Sequence, residues 1–170
     1  MNKYYDDRKW SDIMIPQIKT IVGPCLLESA SFENDAKQAT DLIILNARDK
    51  RIAARVRRVG YAEKYPFEFT IRSHRETGSS TELEKIINGF GDWLFYGHAD
   101  CNDQINFWWL INLSAFRAAL IRDRNFKQIK FHKKANGDGT HFYAFDLRSF
   151  PKNPSILISS SHSLPLSEAA

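Results

Sequence analysis

Apolar positions in SDIMIPQIKTIV, residues 11–22, recur at Ile13, Met14, Ile18, Ile21 and Val22, which is roughly helical spacing. Pro16 requires that helix either to start near it or to break there, and Gly23-Pro24 ends it. Residues 25–39 form a short polar stretch containing Glu28, Glu33 and Asp35. An apolar strand is then expected over 41–45, a reversal over 47–50, and a returning strand over 52–58. FEFTIRS alternates cleanly, with Phe67, Phe69 and Ile71 on one face and Glu68, Thr70 and Arg72 on the other. In SSTELEKIINGFG, Thr81 and Glu84 have the spacing of a capping box. Leu83, Ile86, Ile87 and Phe90 supply its apolar stripe, and Gly89 and Gly91 the stop.

Strands DWLFYG and INFWWLINL follow, and then a helix AFRAALIRDR for which Ser114 is the expected cap. IKFHKK and HFYAFDLR flank ANGDGT, whose two Asx-Gly pairs mark a hairpin. The order predicts an α/β chain of mixed α+β type: one central mixed sheet flanked by helices. Residues 1–150 are expected to form a single domain. Residues 151–170, rich in Ser and Pro, read as a flexible tail with one apolar segment at 156–158.

A chain of 170 residues with 43% hydrophobic content is the size of one domain with a real core. No run of 18 apolar residues occurs, so no membrane span is expected. The first ten residues, MNKYYDDRKW, lack the apolar stretch of a secretory signal. Cys25 and Cys101 are far apart in sequence, and two free thiols in a cytoplasmic protein are the natural reading. No Gly-rich phosphate loop is present. His98 and Cys101 in GHADC would make only half of a zinc site.

Net charge is +4, which decides little, but the cations are clustered. Five of the nine residues in KRIAARVRR, 50–58, are basic, and Arg122, Lys130 and Lys133 belong to a second cluster over 117–134. A hairpin that faces Asp41 with Arg57 places Asp41, Arg55 and Arg57 on one side of the sheet. With FEFTIRS laid alongside, Glu68 and Arg72 join them. Guanidiniums grip phosphate oxygens bidentately, and carboxylates such as Asp41 and Glu68 hold Mg²⁺ through oxygen. The bland alternative is a solvated sheet face of cross-strand ion pairs, each worth about 0–1 kcal/mol.

The ordered set from Thr40-Asp41 through the strand Ile52 to Arg57, the helix SSTELEKIINGFG and the strand DWLFYG resembles the core of the PD-(D/E)XK, or restriction-endonuclease-like, superfamily. It is nearest in pattern to the archaeal Holliday-junction resolvases. The resemblance covers roughly residues 25–100. Thr-Asp stands where that branch has Pro-Asp, and Arg55 and Arg57 replace its Glu-x-Lys pair. Arginine neither ligates a metal nor serves as a base at neutral pH, but it stabilises charge on a phosphoryl group.

The resemblance implies a Mg²⁺-dependent endonuclease acting on DNA rather than RNA. Asp41, Glu33 and Glu68 would hold metal, with Arg55 and Arg57 on the scissile phosphate. Arg58, Arg72, Arg75, Arg122, Lys130 and Lys133 would bind the nucleic-acid backbone. The alternative is a catalytically degenerate nuclease fold that binds nucleic acid or a protein partner, of the kind a phage or mobile element would carry. Resolvases of this branch are usually homodimers, and INFWWLI suits either a subunit interface or a buried strand.

Overall fold

The structure, a computed structural model, describes residues 3–29, 42–44, 50–76, 78, 80–123 and 127–162, with the backbone alone for 3–5, 27–29 and 42–44. Helix α1 (Lys3–Val22) is longer than its sequence pattern suggested and runs straight through Pro16. Its buried face is Met14, Ile18 and Val22, while Ile13 points to solvent. Each of those buried side chains contributes about 1.5–3 kcal/mol. Together they outweigh the roughly 3 kcal/mol that an interior proline costs, so packing keeps the helix intact where propensity would break it.

Strand β1 (Leu27–Ser29) pairs antiparallel with β2 (Leu42–Ile44). Strand β3 (Ile52–Arg57) pairs in parallel with β5 (Trp93–Ala99), reached through the single-turn helix α2 (Tyr61–Lys64), strand β4 (Glu68–His74) and helix α3 (Glu82–Ile87). This corrects the expected hairpin. Among the described residues, the strand beginning at Leu42 turns to Leu27–Ser29, and the arginine strand takes its partner from much later in the chain. Parallel pairing needs a long crossover, which residues 58–92 supply.

Antiparallel β6 (Ile105–Asn112) follows β5, and β9 (Leu157–Ser160) closes the far edge, giving the order β3-β5-β6-β9. A second, antiparallel sheet has the order β4-β8-β7, with β7 (Phe131–Ala135) and β8 (His141–Asp146) forming the expected hairpin. Mixed α+β architecture is therefore observed, but with separate sheets in place of one central sheet.

The four-stranded sheet is covered on both sides. Phe95, Ala99 and Leu110 pack on α1. Leu94, Tyr96, Trp109 and Ile111 face the three-stranded sheet, where Phe69, Ile71 and Phe145 meet them. Helices α3 and α4 (Leu113–Arg122) complete this second layer through Ile86, Leu113 and Phe116.

The capping box of α3 forms as its sequence indicates, Thr81 accepting from Glu84 N. Ile87 and Phe90 of the expected stripe lie exposed. The cap of α4 is Asn112, which accepts from Ser114 N and Ala115 N, and not Ser114. Ile156 is buried and Leu157–Ser160 pairs with β6, so residues 151–162 are integral to the fold and not a tail; 163–170 lie outside the described residues. Trp109, Leu110 and Ile111 are buried core residues. Both thiols are free. Among the described residues, no helix is long and apolar enough to cross a membrane.

Candidate anion-binding site

Strand β3 alternates between two environments. Ile52 and Val56 face the α1 cluster, while Ala53 packs on the inter-sheet core. Arg55 and Arg57 follow Ala53 on that inter-sheet side, where the apolar core gives out. Their register partners on β5 are Tyr96 and His98. In front of them opens a cavity of about 340 Å³. The rest of its lining includes Glu68, Thr70 and Arg72, which alternate on β4 with the core residues Phe69 and Ile71, together with Lys134 of β7 and Phe142 of β8. Tyr61 and Tyr65, from the α2 turn, form one side.

Arg55 donates through Nη1 to the Thr70 carbonyl oxygen at 3.0 Å and through Nη2 to Glu82 Oε2 on α3. Burial is the strongest influence on this guanidinium and lowers its pKa; the Glu82 carboxylate opposes that shift, and the charges of Arg57 and Arg72 add to it. Arg57 has a different set of partners. Its Nε donates to Tyr96 Oη at 2.8 Å and its Nη2 to Thr70 Oγ1. Its guanidinium carbon lies 5.5 to 5.9 Å from the ring centroids of Tyr61, Tyr96 and Phe142. Neutral oxygens and aromatic rings therefore hold Arg57 in place without cancelling its charge.

Glu68 is the one carboxylate among the described residues lining the cavity, against the cations Arg55, Arg57, Arg72 and Lys134. It is engaged by Lys134 Nζ at 3.4 Å, with His132 Nε2 at 3.8 Å. His98 lines the cavity at 3% exposure, and its two ring nitrogens have no hydrogen-bond partner among the described residues. Burial first, and the Arg57 charge second, lower its pKa to about 4, so the ring is neutral at physiological pH. Such a wall, cationic and aromatic with a polar inner residue, suits an anion that also carries a flat apolar part.

The cavity unites four of the residues singled out from the sequence: Arg55, Arg57, Glu68 and Arg72. They come from strands of two different sheets and are not neighbours within one. Asp41 and Glu33 lie outside the described residues. Arg58 alternates to the other side of β3, pairs with Asp7 at 3.1 Å and stacks over Trp10. Arg75 follows β4 outside the cavity lining, and Arg122, Lys130 and Lys133 are exposed elsewhere.

Sequence reasoning had Lys134 only as the end of the second basic cluster, and it missed Tyr61, Tyr65, Tyr96, Phe142 and Glu82. The period-2 alternation of FHKKA was the available signal for Lys134, since it sets Lys134 on the face opposite Phe131. Among the described residues no group of three or more His, Cys, Asp or Glu side chains is placed to hold a metal ion.

Compared with family models, curated proteins and solved structures, the chain matches none.

Proposed function

We propose that this protein binds nucleic acid by gripping a phosphate in the cavity lined by strands of its two larger sheets. The observation that carries the reading is Arg57, fixed by Tyr96 and Thr70 with its charge uncancelled by these neutral partners and facing a cavity that Arg72 and Lys134 also line. A phosphate diester brings the negative charge and planar oxygen pair that guanidiniums match. The aromatic rings around the cations suit the bases that accompany it. The resemblance to a nuclease core favours DNA over RNA as the partner. Of the two readings raised by the sequence, binding is better supported than hydrolysis, because Arg57 and Arg72 can grip phosphate without a metal, whereas Glu68 is the one expected metal ligand among the described residues of the lining.

Titration of labelled single-stranded, duplex and branched DNA at several salt concentrations tests the proposal. Affinity should fall with salt and should drop on Arg57→Gln, because each phosphate contact releases counterions. Equal affinity for wild type and Arg57→Gln would place the binding surface elsewhere. Incubating the same DNAs with Mg²⁺ or Mn²⁺, with Asp41→Ala and Glu68→Gln as controls, separates the two readings. Cleavage abolished by Asp41→Ala would restore the endonuclease reading, with Asp41 and Glu33 as its metal ligands.

A further inference from the structure

The cavity is too small for a double helix, and its walls change character from mouth to interior. We infer that its occupant is a single nucleotide unit, unpaired and unstacked, with its phosphate among Arg57, Arg72 and Lys134 and its base against Tyr61. This inference rests on the nucleic-acid reading above and deepens it.

Three observations carry it. A volume of about 340 Å³ lies at the lower end of the range of about 300–1,000 Å³ for small-ligand sites. A duplex cannot enter it, and a base reaches such a pocket only after leaving the stack. Aromatic and cationic side chains alternate around the opening. Arg57 lies over Tyr61 at 5.5 Å, Lys134 lies over Tyr65 at 3.7 Å, and the two tyrosine rings are 6.2 Å apart. Tyr61 is nonetheless 45% exposed, so this residue is open to a stacking partner from solvent. Lastly, His98 on the wall holds a donor and an acceptor that have no partner among the described residues. A polar group of an occupant would satisfy one of them, and the acceptor nitrogen suits a base N–H rather than a phosphate diester, which has no proton to donate.

Two sources present this chemistry: a free nucleotide, and an unpaired nucleotide of a longer strand. Fluorescence anisotropy of a short labelled oligonucleotide distinguishes them. Competitors are a nucleoside 5′-monophosphate, the corresponding nucleoside, inorganic phosphate, and a blunt duplex of the same sequence. The single strand is expected to bind more tightly than the duplex, and the monophosphate to displace it better than phosphate or nucleoside alone. A monophosphate as tight as the oligonucleotide assigns the site to free nucleotides, and a tighter oligonucleotide assigns it to unpaired strand.

Tyr61→Ala should weaken binding by about tenfold, as loss of one stacked base does, and Tyr61→Phe should restore it. The salt dependence should stay as in the wild type, since no phosphate contact is lost. Equal binding of single strand and duplex, with no effect of Tyr61→Ala, would overturn the inference while leaving nucleic-acid binding in place. Failure of every nucleic acid to bind would remove both.

Discussion

Arg57 and Tyr96 are joined side chain to side chain, the guanidinium Nε donating to the phenol oxygen at 2.8 Å while its carbon lies 5.8 Å from the ring centroid. Tyr96 is 2% exposed and belongs to the inter-sheet core, so its hydroxyl marks the point where that core ends and the cavity begins. A strand that carries valine-like packing on one side can carry arginine on the other because the core stops there. Replacing Arg57 by glutamine should lower affinity for single-stranded DNA by about tenfold or more and reduce the slope of log affinity against log salt by about one. A thermal melt run in parallel separates this from damage to the fold.

Tyr96→Phe tests the positioning role of the same pair. The ring, its stacking on Trp109 and its edge contact with Phe69 are kept, while the hydroxyl that accepts from Arg57 Nε and lies 3.3 Å from Thr70 Oγ1 is lost. Leaving a half-buried donor without its partner costs about 1–3 kcal/mol. The expected result is a lower melting temperature together with weaker binding, both milder than in an alanine variant. Unchanged affinity would mean that Thr70 alone positions the guanidinium.

The Arg55–Glu82 pair links β3 to α3, and both side chains retain a little over a fifth of their surface. Glu82 Oε2 also accepts from the Arg72 backbone N–H at 3.1 Å. Glu82→Gln keeps an acceptor for that N–H but leaves Arg55 without its counter-charge. The cost should fall between that of an exposed pair and that of a fully buried one, about 1–3 kcal/mol. Chemical denaturation should show this as a lower midpoint with an unchanged slope.

His98 makes stability depend on pH. Its pKa is about 4 in the folded protein, against 6.5 for the free side chain. Below pH 6.5 the unfolded chain takes up a proton that the folded one refuses, so stability falls as pH drops from 6.5 toward 4 and levels off below that. The full loss is on the order of 3 kcal/mol. Denaturation midpoints measured across this window should decline in the wild type and decline less in His98→Phe, which has no proton to gain. Equal slopes in the two proteins would show that the imidazole is hydrated in solution.

Local patterns were legible in the sequence where local physics decides them. The capping box at Thr81, the alternation of FEFTI and the Asx-Gly turn at 136–139 all form as their residues indicate. What was not legible is long-range. Whether Ile52–Arg57 pairs with the strand before it or with one beginning at Trp93 is decided by competition between whole faces. Val56 and Ile52 find apolar partners on α1 only when the strand lies beside β5. The same limit applies to the site. Alternation placed Arg55 with Arg57 and Glu68 with Arg72, but nothing in the order of residues says that two different sheets would bring those pairs together. Tyr61 and Tyr65 escaped notice because a one-turn helix has no periodicity to read.

The C-terminal segment gives the strongest test of the fold. Ser and Pro content marks residues 151–170 as a tail, yet Ile156 is 2% exposed within the inter-sheet core, beside Phe150. Its carbonyl accepts from Asn112 N at 2.7 Å, and Ser161 N donates to the Trp108 carbonyl at 3.1 Å, so the segment is fastened at both ends of β9. Ile156→Ala removes a buried branched side chain and should cost about 2–5 kcal/mol. Ending the chain after Ser155 should do more. It strips the ladder partner from Trp109, Leu110 and Ile111 and exposes the edge of an apolar strand, which invites pairing between chains. The truncated protein should therefore aggregate at concentrations where the full chain stays monodisperse by light scattering. Hydrogen exchange should show lost protection of the Asn112 amide. A truncated chain that remained monodisperse, with that amide still protected, would mean that β6 holds its edge without β9.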